Sequence, residues 1–79
     1  MDHEEVTKKV KNCISTVLEI DSNTISNDSN FIFDLGADSM QSITLVAAFE
    51  EEFEIELDED KALEVQTVSD AVEFIKTYL

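Results

Sequence analysis

The apolar side chains of this sequence recur at the spacing of an α-helix, and no segment keeps the alternation of a β-strand. In the first such segment, from Val6 to Leu18, apolar residues return every three or four positions, and Lys8, Lys9 and Lys11 fall between them. One glycine and no proline argue against a loop-rich chain. The pattern predicts an all-α fold: a small four-helix bundle with three main helices, one short helix and a long loop after the first helix.

Caps and turn-forming residues place the later elements of this bundle. Asp, Ser, Asn and Thr are dense over residues 21–30, as in an ordered loop. Asp38 is a good N-cap with Gln41 three positions later, which predicts a capping box at the start of the central helix. A short acidic helical turn is expected over residues 57–65, and Thr67 opens the last helix.

The acidic balance of the chain limits its partners. Nineteen acidic residues stand against five basic ones, which gives a formal net charge of −14. Such a surface repels nucleic acid and anionic membranes and attracts partners with basic patches. The repulsion should also make stability depend on salt, divalent cations and acid. A chain of this length allows one small core, so we expect residues 1–79 to form a single, monomeric domain.

Cysteine content and hydropathy exclude further classes of protein. Cys13 has no second cysteine with which to form a disulfide or a zinc site, and its place in the first helix indicates a buried hydrophobe rather than a reactive thiol. No apolar run approaches the roughly 18 residues that a membrane span needs. The acidic start at residues 1–5 is unlike a secretory signal. We expect a cytoplasmic protein, and an initiator Met1 suggests a free-standing one.

Ser39 is the candidate residue for chemistry. Considered alone, it is a first-turn serine beside a capping aspartate, and this plain interpretation prevails for an arbitrary Asp-Ser pair. A catalytic role has little support, since the Gly-x-Ser-x-Gly elbow is missing and the one histidine, His3, lies in a tail expected to be mobile. Without a plausible base near the serine, hydrolase chemistry has little support.

A seven-residue motif changes this interpretation. It reads Asp34-Leu35-Gly36-Ala37-Asp38-Ser39-Met40 and closely resembles the modification motif of acyl carrier proteins, usually Asp-Leu-Gly-Ala-Asp-Ser-Leu. The similarity covers essentially the whole chain and continues through Leu45-Val46, Glu50-Glu51-Glu52-Phe53, Glu56-Leu57 and Thr67-Val68.

The resemblance implies a carrier rather than an enzyme. A phosphopantetheinyl transferase, also called holo-acyl-carrier-protein synthase, would move a 4′-phosphopantetheine arm from coenzyme A onto Ser39. The thiol of the arm would then hold acyl groups as thioesters. The carrier would present these groups to fatty-acid, polyketide or related lipid biosynthetic enzymes that have basic docking patches.

The resemblance also implies a surface for partner recognition, centred on the helix after the serine. Its positions here are Phe33, Asp34, Asp38, Met40, Gln41, Ile43, Thr44, Ala47, Glu50 and Glu51. Several depart from the commonest pattern of the family. Gln41 and Thr44 stand where acidic residues are usual, and Ala47 replaces a Met. Met40 replaces a Leu, and Phe33 stands where a charged residue is common. We therefore expect a specialised carrier with its own set of partners.

Family members that shelter their cargo place the acyl chain among the helices. The corresponding surfaces here belong to Phe31, Ile43, Leu45, Val46, Phe49, Leu57, Ala62, Val65, Ala71 and Ile75. Most of these residues would also form the ordinary core. Phe49 is larger than the aliphatic residue usual at its position, which predicts a shortened pocket suited to small or polar cargo.

Three alternatives remain open from the sequence. An aminoacyl or peptidyl carrier uses the same arm and fold but more often shows Gly-Gly-x-Ser, so Ala37-Asp38 favours the acyl interpretation. A divalent-cation-binding helix pair would fit the charge. The EF-hand loop counted from Asp21 fails, however, at Ile25 and Ser26. We expect no dedicated metal site, only diffuse cation binding over residues 50–60. The third alternative is an acidic interaction module.

Overall fold

The structure is a computed structural model that describes residues 2–79. Its elements, in chain order, are α1 (His3–Leu18), a 3-10 turn (Ser22–Thr24), α2 (Ser39–Phe53), α3 (Glu59–Ala62) and α4 (Val68–Lys76). The predicted all-α fold, with three longer helices, one short helix and a long connection after the first, is therefore confirmed.

The start of α1 differs from the prediction. The carboxylate of Asp2 accepts the N–H of Glu5 at 2.9 Å and caps the helix. His3, which the sequence analysis assigned to a tail, is instead the first residue of α1. That assignment was wrong because the cap at Asp2, which adds a turn before the first apolar residue, was overlooked. Met1, on which the expectation of a free-standing protein rests, lies outside the described residues.

The core lies where α1 contacts α2 and α4. Val6, Val10 and Ile14 follow one another at intervals of one helical turn, and all three are fully buried. Val68 and Val72 of α4 are also buried in this cluster. The amphipathic pattern of the two helices thus accounts for their mutual packing, and the hydrophobic effect of burying this stripe drives their association.

The connection between α1 and α2 is attached to the start of α4. Asn30 and Thr67 form an isolated antiparallel β-bridge, and the N–H of Phe31 donates to the carbonyl oxygen of Gln66 at 2.9 Å. Sequence analysis predicted an ordered loop but not this attachment, because one pair of distant backbone groups leaves no periodic signal. The bridge holds the segment that precedes α2 in a defined position.

Candidate functional site

A reciprocal cap begins α2. The carboxylate of Asp38 accepts the N–H of Gln41 at 2.8 Å, and the side-chain oxygen of Gln41 accepts the N–H of Asp38 at 3.1 Å. The predicted capping box is confirmed. The backbone carbonyl of Asp38 also accepts the N–H of Ser42 at 2.9 Å. These bonds fix the first turn of the helix.

Ser39 is exposed at the first position of α2. The backbone N–H groups of Ser39 and Met40 have no hydrogen-bond partner within residues 2–79. They lie at the positive end of the helix dipole, where phosphate groups bind favourably. The residues present therefore fit a phosphodiester attached to the Ser39 hydroxyl.

The turn before α2 depends on Gly36. Its φ of 75° lies in the left-handed region, where a side chain is strained. A Cβ added at this position would meet no atom within 4 Å. Any cost of a larger residue is therefore conformational and does not arise from collision with neighbouring atoms.

We expect Gly36→Ala to lower the free energy of unfolding by about 1–2 kcal/mol, because alanine is disfavoured in the left-handed conformation. Gly36→Asn is the matched control, since asparagine tolerates this conformation better, and its loss should be smaller. Urea unfolding followed by circular dichroism measures both. Equal losses in the two variants would contradict the conformational explanation.

A groove of about 340 Å³ lies beside the middle of α2, along the side chains of Ser42, Leu45, Val46 and Phe49. Its lining includes the apolar residues assigned to an acyl pocket, namely Phe31, Leu45, Val46, Phe49, Leu57, Ala62, Val65, Ala71 and Ile75. Ile43 is not among the lining residues and is half exposed. Sequence analysis missed Leu63 and Phe74, each next in sequence to an assigned residue. Helical periodicity alone does not tell which of two adjacent apolar residues faces a groove.

One wall of this groove is formed by α3 and its flanks. No residue of α3 is buried. The carboxylate of Glu50 accepts the N–H of Leu57 at 2.8 Å, and the hydroxyl of Tyr78 accepts the N–H of Asp58 at 3.1 Å. The Tyr78 ring packs edge-to-face on Phe74, with ring centroids 5.3 Å apart. The wall is thus joined to α2 and to the C-terminal end by single hydrogen bonds.

The residues assigned to partner recognition differ in their surroundings. Those that are exposed are Phe33, Asp34, Asp38, Met40, Ile43, Thr44, Ala47 and Glu51, whereas Gln41 and Glu50 are partly buried. Five of the polar members form hydrogen bonds with backbone groups of the chain itself: Asp34, Asp38, Gln41, Glu50 and Thr44, whose hydroxyl donates to the carbonyl oxygen of Met40. Their carboxylates and amide therefore stabilise the fold, and any role in docking would be additional.

Comparison with known proteins identifies the family. Residues 8–75 match the family described as phosphopantetheine attachment site. The chain is 45% identical over 73 residues to the acyl carrier protein of a Picosynechococcus species, and the match covers 92% of this chain and 90% of that one. The chain belongs to the acyl carrier protein family.

Further relatives agree with this assignment. The acyl carrier protein of Prochlorococcus marinus is 45% identical over 76 residues, which cover 96% of this chain and 95% of that one. A solved structure of a candidate acyl carrier protein from Mycobacterium tuberculosis superimposes with a TM-score of 0.84 at 25% identity, covering 91% of this chain and 96% of that one. These names favour the acyl interpretation over the three alternatives.

Membership in this family establishes the function of the chain. This acyl carrier protein bears a covalently attached 4′-phosphopantetheine, whose terminal thiol holds acyl groups as thioesters. It is a carrier and not a catalyst. It interacts with a phosphopantetheinyl transferase and with biosynthetic enzymes that use its cargo.

Residues 2–79 contain neither a cluster of metal ligands nor a membrane-spanning helix. No group of three or more His, Cys, Asp or Glu side chains is arranged to hold a metal ion there. None of the helices in that range combines the length and the apolar character that crossing a membrane requires.

The acyl carrier protein has one thiol of its own, in Cys13. This residue is partly buried on α1, and its Sγ lies 3.9 Å from the carbonyl oxygen of Ala48 in α2. Burial raises the pKa of the Cys13 thiol to about 11, with Glu52 acting in the same direction and Lys9 opposing it. The thiol is therefore protonated, and weakly nucleophilic, at neutral pH.

We expect iodoacetamide at pH 8 to alkylate the thiol of the arm at least tenfold faster than Cys13, because only the thiolate reacts and the raised pKa of Cys13 keeps its thiolate fraction small. Cys13 should react faster as the pH rises towards 11. Intact mass spectrometry of the arm-bearing chain measures both rates, and Cys13→Ala provides the control. Comparable rates at pH 8 would contradict the inferred protection.

Proposed function

We propose that this acyl carrier protein bears its arm on Ser39. The observation that carries the proposal is the exposure of Ser39 at the first position of a capped helix, beside two unpartnered backbone N–H groups. In the transfer, a bond forms between the Ser39 oxygen and the phosphorus next to the pantetheine of coenzyme A. The diphosphate bond breaks, adenosine 3′,5′-bisphosphate leaves, and the hydroxyl proton passes to a base of the transferase.

Intact mass spectrometry tests this attachment. The chain is incubated with coenzyme A and a broad-specificity phosphopantetheinyl transferase, and peptide fragmentation then locates the modification. We expect one arm per chain, on the peptide that contains Ser39. An unmodified chain, in a reaction where another acyl carrier protein is modified, would overturn the proposal. So would an arm located at a different serine.

We further propose that the groove shelters the acyl group and that Phe49 limits its depth. Phe49 is a buried residue of α2 and is one of the residues that line the groove. An aromatic ring fills space that a smaller aliphatic side chain would leave open to cargo. Short or polar acyl groups would therefore fit better than long ones.

Chemical-shift mapping across a series of acyl lengths tests the limit at Phe49. We expect shifts near Leu45 and Val46 with short chains, and no further shifts around Phe49 as the chain lengthens. Phe49→Leu is the comparison variant, in which longer chains should perturb Ala71 and Ile75. Strong perturbation around Phe49 by long chains in the unaltered protein would contradict a shortened pocket.

The departures in the recognition surface support a specialised carrier. Gln41, Thr44 and Ala47 remove two acidic positions and one large apolar position that are usual in carriers of primary fatty-acid synthesis. Loading followed by elongation with the enzymes of a general fatty-acid synthase tests this proposal. We expect slow cycling. Cycling as fast as with a housekeeping carrier would contradict specialisation.

The cellular setting is also proposed. We infer that residues 1–79 act as a single, monomeric carrier domain in the cytoplasm, without binding nucleic acid. The net charge of −14 supports this setting, because copies of the chain, nucleic acid and anionic lipid surfaces all repel it. Sedimentation at physiological salt tests the monomer, and a dimer at micromolar concentration would contradict it.

A further inference from the structure

Exposed apolar side chains flank Ser39 along the chain. Within residues 2–79, seven large apolar side chains are exposed, and four of them are Ile32, Phe33, Met40 and Ile43. Phe33 is the most exposed of all, at 87%, and Met40 follows at 78%. Clustered exposure of this kind is typical of surfaces that bind another protein.

The loop that carries Phe33 is held by its own hydrogen bonds. The side-chain oxygen of Asn30 accepts the N–H groups of Ile32 and Phe33 at 2.9 and 3.0 Å. The carboxylate of Asp34 accepts the N–H of Asn30 at 2.7 Å, and the Asn30 carbonyl accepts the N–H of Asp34 at 2.9 Å. Asn30 is itself bridged to Thr67. The backbone thus presents the Phe33 ring from a defined position, which lowers the entropy lost on binding.

Phe33 also lies close to the attachment site. Phe33 and Ser42 line the same groove, and Ser42 follows Ser39 by one helical turn. Phe33 also precedes Ser39 by only six residues, so it is within the segment that an enzyme acting on the Ser39 hydroxyl would approach. Exposed acidic side chains flank this region along the chain, at Asp34 and Asp38.

We propose that Phe33 is the apolar anchor by which the phosphopantetheinyl transferase of the same genome recognises this chain. This inference rests on the proposed attachment at Ser39. The ring would enter an apolar socket on the transferase whose rim carries Lys and Arg. Acidic Asp34 and Asp38 beside the ring, within a chain of net charge −14, fit such a rim. Aromatic side chains buried within an interface commonly carry a large share of its binding energy.

Steady-state kinetics of that transferase, with coenzyme A and the arm-free chain, test the anchor. Phe33→Ser should raise the KM for the carrier about tenfold or more and change kcat less than about twofold, since binding rather than chemistry is weakened. Phe33→Leu should retain most of the affinity. Leu79→Ser is the matched control, because it removes an exposed apolar side chain outside the groove. Urea unfolding should be the same for all variants.

The outcomes separate this inference from the proposed function. If the unaltered chain is not modified, attachment at Ser39 fails and the anchor fails with it. If the unaltered chain and Phe33→Ser are modified with equal KM, attachment stands and the anchor is overturned. A third outcome is an unchanged KM for Phe33→Ser together with the loss of the chemical-shift changes that acyl groups cause in the unaltered chain. It would show that the ring covers the cargo, and it would also overturn the anchor.

Discussion

A chain with Ser39→Ala is expected to gain no mass from coenzyme A and the transferase. The substitution removes the hydroxyl that would bond to phosphorus, and alanine supplies no other nucleophilic group in its place. Asp38 and Gln41 supply the cap, so the fold should be retained, with a change in the free energy of unfolding below about 0.5 kcal/mol.

Ser42→Ala is the matched control for this experiment. Ser42 lies one turn later, is partly buried, and donates its hydroxyl to the carbonyl oxygen of Asp38 at 3.0 Å. Its removal should leave the modification in place. Modification of Ser39→Ala, or its loss in a folded Ser42→Ala, would show that the arm is attached elsewhere.

Ile14→Ala is expected to cause the largest loss of stability, about 2–5 kcal/mol, because it leaves a cavity at a fully buried position. The free energy of unfolding of a domain of this size is small. The net charge of −14 reduces it further, and within the described part of the chain the Glu73–Lys76 contact is the one ion pair. Many molecules of the variant should therefore be unfolded at low salt.

Urea unfolding at high salt measures this loss, since screening of the charges keeps the variant folded at the start of the titration. Leu79→Ala removes a similar apolar volume from an exposed position and should change stability by less than about 0.5 kcal/mol. Similar losses in the two variants would contradict the burial of Ile14 in the core.

The sequence predicts the helices well, but it does not predict the long-range hydrogen bonds that join the loops to them. Val6, Val10 and Ile14 repeat at one-turn intervals, so periodicity suffices to place α1 and its buried face. The cap at Asp38 and Gln41 could also be predicted, because both partners lie within one turn. The bridge between Asn30 and Thr67 could not, since nothing in either residue specifies a distant partner.

The candidate site was likewise predicted only in part. Ser39 was assigned through resemblance to a family motif, because local chemistry alone describes a serine beside a cap. The hydrogen bond that the Glu50 carboxylate accepts from the Leu57 N–H was not predicted. The sequence does not show whether an acidic side chain on a helix contacts a partner protein or accepts a hydrogen bond from a neighbouring loop. The exposed position of Phe33 was not predicted either, because it depends on two hydrogen bonds that the Asn30 side chain accepts from the N–H groups of Ile32 and Phe33.

The attachment of α3 has a kinetic consequence for a carrier. Besides the apolar contacts of Leu57, Ala62 and Val65 with the core, two side-chain hydrogen bonds hold this wall of the groove, one from the Leu57 N–H to Glu50 and one from the Asp58 N–H to Tyr78. Each bond contributes about 1 kcal/mol and no residue of α3 itself is buried, so we expect the wall to open more often than the whole chain unfolds. Cargo could then leave and re-enter the groove many times during one encounter with an enzyme. Turnover would be limited by the enzymes, and the carrier would act as a reservoir in rapid equilibrium with them.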